Sequence, residues 1–467
     1  MRLLRLWLAL AGLSAGVLLG YAHPGPRLAL ALCGLGVTTL IVRRKPLLLL
    51  VGVVVAACGA GALDASLRTA QSAAVSVLAS DFAHCQITGR VLEDQGALGT
   101  LVAILHAGCD GYAPISDPGT VMFPTRVADP GATVSASGTL VPLREDPFDL
   151  ARRRAGASGL FDPDSSRTTP ATSLPLHLAS AIRNGLLNAT QSLQPPRRGL
   201  VRGLTIGDTS DIDAVTVDDF RRAGLSHLLA VSGENLAMFL GALAFAIRRL
   251  PYRLRLLAYF GAIGLFVLVV GPQPSVLRAA VMGAVMVAAV GRGHRAQPLA
   301  VLATALIVVI AFRPGLVFSV GLQLSAAATS GIVLWTKPVE RALRKLPRAI
   351  ALPLAVTISA QVAVAPILIA TFGQLSLISP VANLVAFPAV APPTVLGLCA
   401  GVVSLISIPA ARILAALAGP FAGWIAWVGT SLGAAPGAAV DLPKGAAYLA
   451  AIPALAAAVT AAARTSE

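Results

Sequence analysis

The stretch from Gly224 to Met238, GLSHLLAVSGENLAM, sets Ser226, His227, Ser232, Glu234 and Asn235 inside a run otherwise apolar enough for a membrane. Ionisable and amide side chains are expensive in hydrocarbon unless they face a bundle interior or a water-filled path, so at that depth they mark function. On one continuous helix, 100° per residue puts His227, Glu234 and Met238 on one face, with Asn235 beside them. The Ser232-Gly233 pair is a place where such a helix would bend or break instead. A second signal is Gly271-Pro272-Gln273-Pro274 followed by Arg278. A helix starting after Pro274 offers free N–H groups and a positive dipole end, with Arg278 one turn in, which suits a phosphate or another anion. The competing reading is a kinked helix whose Arg278 reaches the interface or pairs with a carboxylate such as Glu234. Gln323, Ser325 and Gln361 are weaker signals, because such groups in membranes commonly hydrogen-bond between helices. Asn383 lies in a run punctuated by Pro380, Pro388, Pro392 and Pro393, where freed backbone groups need neighbours or water.

Patterns for catalysis are lacking. The six histidines (23, 84, 106, 177, 227, 294) form no HxH or HExxH pair, so no metal site is expected, and without a Gly-Lys pair there is no phosphate-binding P-loop. Ser232 and His227 would lie about 140° apart on an ideal helix, too far around for a nucleophile and its base. The expectation is a transport protein without a cofactor.

The elements that must position these residues are membrane spans. With 467 residues, 56% hydrophobic and 12% charged, and a mean hydropathy of +0.79, the chain is no ordinary soluble globule. Its net charge of +15 fits attraction to polyanions or anionic lipid, and equally the basic cytoplasmic loops of any membrane protein. Three spans open it, Leu3 to Leu19 (uncleaved), Leu28 to Val42 and Pro46 to Leu63, and Arg2, Arg5 and the Arg43-Arg44-Lys45 loop place the N-terminus in the cytoplasm. Nine more follow: Ser226 to Ile247, Leu254 to Val270, Ser275 to Val290, Pro298 to Phe312, Val317 to Trp335, Ile350 to Thr371, Leu377 to Ser404, Ile413 to Leu432 and Ala446 to Ala463. Loop bases alternate with them. Arg248 to Arg255, Arg292 to Arg295 and Lys337 to Arg348 fall inside, Arg313 and Lys444 outside, so both termini are cytoplasmic.

The fold class is therefore a polytopic α-helical membrane protein of about twelve spans with a small external β-domain. Residues 1–63 hold the first spans, 64–173 the β-domain and a charged linker, 174–224 amphipathic surface helices, and 225–467 the channel-like part. Short β-type runs between Cys85 and Leu143 suggest a small barrel, an OB-like one among the candidates, while spacing alone leaves a β-sandwich open. Cys85 and Cys109 are the disulfide candidates, with two buried thiols as the alternative; a bridge would close about 25 residues and add on the order of 3 kcal/mol. Arg152, Arg153 and Arg154 read as solvated surface or as a phosphate-contacting patch. Leu174, Leu178, Ile182 and Leu186 form one helical stripe, with Arg183 elsewhere, and Asp211 to Ala223 forms a second amphipathic element.

GLSHLLAVSGENLAMF resembles the Leu-Ser-His-Leu-Leu-Ala-(Ile/Val)-Ser-Gly run of the ComEC family of competence proteins. GPQPSVLRAAVMG is similar to that family's Pro-Ser-Val-x-Arg-Ala-x-x-Met stretch, FSVGLQLSAAATSGI to its Gly-x-Gln-Leu-Ser run, and ISPVANLVAFPAVAP to its Asn-x-x-x-x-Pro motif. The order is kept from about Leu200 to Pro393, and the Cys85 to Leu160 region, with Phe148-Asp149, resembles the family's external β-domain. The resemblance implies a cytoplasmic-membrane channel through which single-stranded DNA enters during natural transformation. Carried onto this chain, His227, Ser232 and Gly233 match the first motif, Arg278 the second, Gln323 and Ser325 the third, and Asn383 the fourth. Where many members have a second His, this chain has Asn235. Many also continue into a metallo-β-lactamase-like nuclease domain, whereas this sequence stops at Glu467, so the expectation is a separate nuclease. Membrane lipid, a membrane DNA receptor and a cytoplasmic helicase-like motor are the other expected partners, and the sequence leaves homo-oligomerisation open. A strand needs a basic path and aromatic surfaces; Tyr112, Phe123, Phe148 and Phe161 are the external candidates. The alternative function is a secondary transporter of a small anion or lipid-linked precursor.

Overall fold

The computed structural model describes residues 9–15, 17, 73–94, 99–144, 146, 149, 152–153, 156–171, 173–229, 231–291, 297–443 and 445. The three N-terminal spans for the most part, the Arg292 to Arg295 loop, Phe148, Arg154, Lys444 and the Ala446 to Ala463 span lie outside the described residues. The chain divides into two units, one comprising 1–180, 271–277 and 303–319, the other 181–270, 278–302 and 320–467.

In the first unit, a short helix α1 (Ala73–Ser80) precedes five strands: β1 (His84–Asp94), β2 (Thr100–Cys109), β3 (Ile115–Phe123), β4 (Thr133–Val141) and β5 (Leu160–Thr169). Burial alternates along β4, the period of two that puts one face on a core. That core gathers Ile87, Val102, Ile104, Val121, Phe123 and Phe161, all nearly inaccessible. The pairing closes on itself in the order β1-β2-β3-β5-β4, with β3 and β5 parallel and the other pairs antiparallel. Closing so few strands needs bends. They fall at register shifts beside Gly89 in β1 and Gly138 in β4, where a Cβ would stand 2.7 Å from the Ala103 carbonyl oxygen and 2.2 Å from that of Asp162. Cys85 and Cys109, directly opposite in the β1–β2 register, are joined in a disulfide. Arg152 is mostly buried and bonds Asp149 at 2.8 Å, so it is no solvated surface charge. Burial opposes ionisation of Asp149, but the Arg144 N–H and the Arg152 guanidinium outweigh it and hold that carboxyl below its ordinary range. Phe123 and Phe161, expected as external aromatic surfaces, instead pack in the core with their rings tilted by 42° and centroids 5.0 Å apart. Glu93 on β1 pairs at 2.5 Å with Arg313, which also donates to the Pro272 carbonyl at 3.0 Å.

Helix α2 (Leu174–Ala189) carries the expected stripe, yet only Ile182 and Leu186 are buried, and Leu174 is largely exposed. In the second unit, α3 (Arg197–Ile206), which the sequence reading did not separate, and α4 (Ala214–Arg222) lead to α5 (Gly233–Ala246). Then come α6 (Tyr252–Val270), α7 (Pro274–Gly291) and α8 (Pro298–Phe312), the last two divided between the units, followed by α9 (Val320–Ala342) and α10 (Arg348–Phe372). A short strand pair, β6 (Gln374–Ser376) with β7 (Ala439–Asp441), brackets α11 (Ser379–Val403) and α12 (Ile408–Gly433). Among the described residues α6, α7, α10, α11 and α12 are long and apolar enough to cross a membrane. These are five of the nine crossings expected after Ser226. At 14 residues, α5 reaches about 21 Å, short of a ~30 Å core. Although α11 holds Pro388, Pro392 and Pro393, it runs as one helix rather than breaking there.

Small residues let these helices approach closely. Ala418, Ala422 and Ala426 of α12 pack with Leu200, Leu204 and Phe220 from α3 and α4. Arg183 is buried and donates from Nε and Nη2 to the Val269 carbonyl at 3.2 and 2.6 Å, satisfying the C-terminal end of α6. Asp211 takes a two-pronged bond from Arg198, at 2.9 and 2.7 Å, and another from Arg202 at 2.6 Å. The Arg198 fork holds the Asp211 carboxyl below its ordinary value against the opposing effect of burial. A carboxyl lowered on folding stabilises above its unfolded pKa, about 4, and loses that contribution as pH falls through its folded pKa. Asp211→Asn should therefore cost on the order of 2–3 kcal/mol at neutral pH. In thermal unfolding of the purified chain, the difference between wild type and variant should shrink below about pH 4; a pH-independent difference would contradict the assignment.

Candidate functional site

The candidate site is built where α5 begins. Ser232 is extended (φ −112°, ψ 168°) and caps the helix, its hydroxyl accepting the Glu234 N–H at 3.2 Å. Capping residues favour that geometry because it supplies an acceptor to the first free N–H groups. Of the two readings the sequence leaves open, the chain takes the break at Ser232-Gly233 rather than the continuous helix. His227 belongs to a separate 3₁₀ turn, Ser226–Leu228, and does not share a helical face with Glu234. Gly224, left-handed at φ +74°, turns the chain into that segment, and a Cβ there would stand 2.4 Å from that of Ser379 on α11.

Two side chains and a glycine fix the α5 entry. Asn235, almost fully buried, donates to the Leu204 carbonyl of α3 at 2.8 Å, and the Ser232 hydroxyl donates to its amide oxygen at 3.3 Å. Gly233 faces α7, where a Cβ would meet that of Ala279 at 3.0 Å and Nη2 of Arg278 at 3.1 Å. The guanidinium therefore lies against the first turn of α5. Arg278 is 6% exposed; its Nη1 donates to the Thr329 hydroxyl of α9 at 2.9 Å and contacts the Met282 sulfur at 3.2 Å. Thr329 in turn donates to the Ser325 carbonyl at 2.8 Å. Nε of Arg278 is buried without a protein partner, and no ion pair joins Arg278 to Glu234 among the described residues. The pairing with Glu234 weighed from sequence is not what this side chain makes.

On the other side of Glu234, a cavity of about 20 Å³ is lined by His227, Glu234 and Asn383, with Leu228, Phe387 and Val390 as its apolar wall. Asn383 is steadied by its own helix, its amide donating to the Ser379 carbonyl and hydroxyl at 2.9 and 3.1 Å. Two small clusters thus flank the start of α5, Arg278 with Gly233 and Thr329, and His227 with Glu234 and Asn383. Gln323 is exposed on the first turn of α9. Gln361 donates instead to the Ser376 carbonyl. Thr329 was not singled out from sequence; its signal is a hydroxyl four residues after Ser325, in the same run. No group of three or more His, Cys, Asp or Glu suited to a metal ion occurs among the described residues.

A family model described as Competence protein matches residues 204–466. The chain belongs to the competence protein family. Every candidate residue from His227 to Asn383 falls inside the matched region. ComE operon protein 3 of Bacillus subtilis (strain 168) is 30% identical to this competence protein over 213 residues, covering 44% of the chain and 27% of that relative. The chain thus spans about a quarter of that relative's length. No solved structure matches.

Proposed function

We propose that this competence-family chain is a channel of the cytoplasmic membrane that passes single-stranded DNA into the cell during transformation. The carrying observation is Arg278, a buried cation whose protein partners are a hydroxyl and a thioether rather than a carboxylate. A buried charge is costly until an opposite charge meets it, and a passing phosphate supplies one. The guanidinium also lies beside the N-terminal turn of α5, where backbone dipoles favour an anion. His227 and Glu234, exposed beside apolar helices, suit a water-lined path rather than lipid.

The sheet domain is read as external and OB-like, a reading supported by its strand order and parallel β3–β5 pair. Its pairing with Arg313 fits the outer side that the loop charges assign to that residue. Work for import comes from a cytoplasmic helicase-like motor or the proton gradient, and DNA is delivered by a membrane receptor. The chain itself transports and does not catalyse. The test is photocrosslinking with a probe at Ser325, one helical turn from Thr329, and a control at Ile406, 91% exposed. A strand arrested during entry should crosslink at Ser325 and not at Ile406. Crosslinks at neither position, with import proceeding, would contradict the path.

A further inference from the structure

The cavity beside α5 has room for about one water molecule, which needs roughly 10–15 Å³ of such space. Its titratable walls are His227 from the 3₁₀ turn and Glu234 from α5; α11 contributes the uncharged Asn383, whose amide donors are taken by Ser379. The charge facing this region from α7 is Arg278, packed against Gly233, the residue before Glu234. No other titratable group lines the cavity, and the Glu234 carboxylate has no hydrogen-bond or ion-pair partner among the described residues. A carboxyl and an imidazole opening on one water-sized space are the components of a proton-exchange site.

We infer that His227 and Glu234 form one proton-binding unit, exchanging a single proton through a water in this cavity. In the exchange the Glu234 carboxyl O–H breaks, the water accepts that proton while giving one of its own, and an N–H forms on His227. The products are a carboxylate and an imidazolium, and charge is conserved. Asn383, held by Ser379, offers its carbonyl oxygen as an acceptor for the water. The role rests on the channel reading, a proton changing sites as the strand moves, whereas the pair can be tested with no DNA present.

The experiment is a pH titration of the purified full chain in lipid nanodiscs, with a chelator present, followed by infrared difference spectroscopy. Wild type should show a titrating carboxyl band that Glu234→Gln removes, and His227→Gln should move its midpoint by more than about one pH unit, as coupled sites do. The reciprocal measurement follows the His227 imidazole by NMR, and Glu234→Gln should shift its midpoint by a similar amount. It decides the matter if His227→Gln fails to fold. A carboxyl band that survives Glu234→Gln, or midpoint shifts below one unit, overturns the pair. Loss of the DNA-import reading in a cellular assay, with the coupling intact, would leave the proton site standing and remove only its role.

Discussion

Arg278→Ala, at equal membrane level, should lower entry of labelled DNA by about tenfold or more, the equivalent of one charge-assisted hydrogen bond. The guanidinium is buried, held by Thr329 on α9 and packed against Gly233 on α5, so the charge has a fixed place rather than a mobile one. Arg278→Lys keeps the charge but not the planar fork that bonds Thr329 and a phosphate together, and should recover entry only in part. Arg249→Ala, an exposed charge beyond the end of α5, should leave entry near wild type. Equal losses from Arg249 and Arg278 would point to net charge rather than to this position.

The double substitution Cys85→Ser with Cys109→Ser should be the most damaging change in the sheet domain. Both half-cystines are buried, and the bridge spans 24 residues of sequence between β1 and β2. Removing a cross-link of that loop length costs about 2–4 kcal/mol, chiefly through the freer unfolded chain. A small domain whose core is built around Ile87, Val102, Val121, Phe123 and Phe161 has limited burial to offset it. Limited proteolysis of the full chain in membranes should cut the variant at least tenfold faster between residues 84 and 169, and a reductant should do the same to wild type. Equal cleavage rates would contradict a stabilising bridge.

The sequence made the long helices legible because 18 or more apolar residues in a row have few alternatives, and α6, α7, α10, α11 and α12 fall where hydropathy put them. Shorter features were misread for identifiable reasons. Hydropathy does not register a cap, so Ser226 to Ile247 read as one span although the Ser232 hydroxyl starts a new helix at Gly233. Helix α3 has ten residues behind Pro-Pro-Arg-Arg, and its apolar Leu200, Val201 and Leu204 were hidden by the charges around them. Prolines in α11 were overread, since packing can carry a helix through them.

The site was legible residue by residue but not as contacts. Arg278 stands out as a cation in an apolar run, yet its partner Thr329 is 51 residues away and is brought near only by the tertiary fold. Opposite charge makes Glu234 one candidate partner in the sequence, whereas α5 presents that carboxylate to His227 and Asn383. His227 and Glu234 do share a cavity, but through a turn and a cap, the break at Ser232-Gly233, rather than through the shared face a continuous helix would give.

The most direct measurement is entry of labelled double-stranded DNA into a nuclease-protected, single-stranded form inside a transformable host, with the chain deleted or restored. The channel account predicts that the protected strand disappears on deletion while DNA still binds the cell surface, and returns on restoration. Protected single strands at the same level in the deleted cells would contradict it.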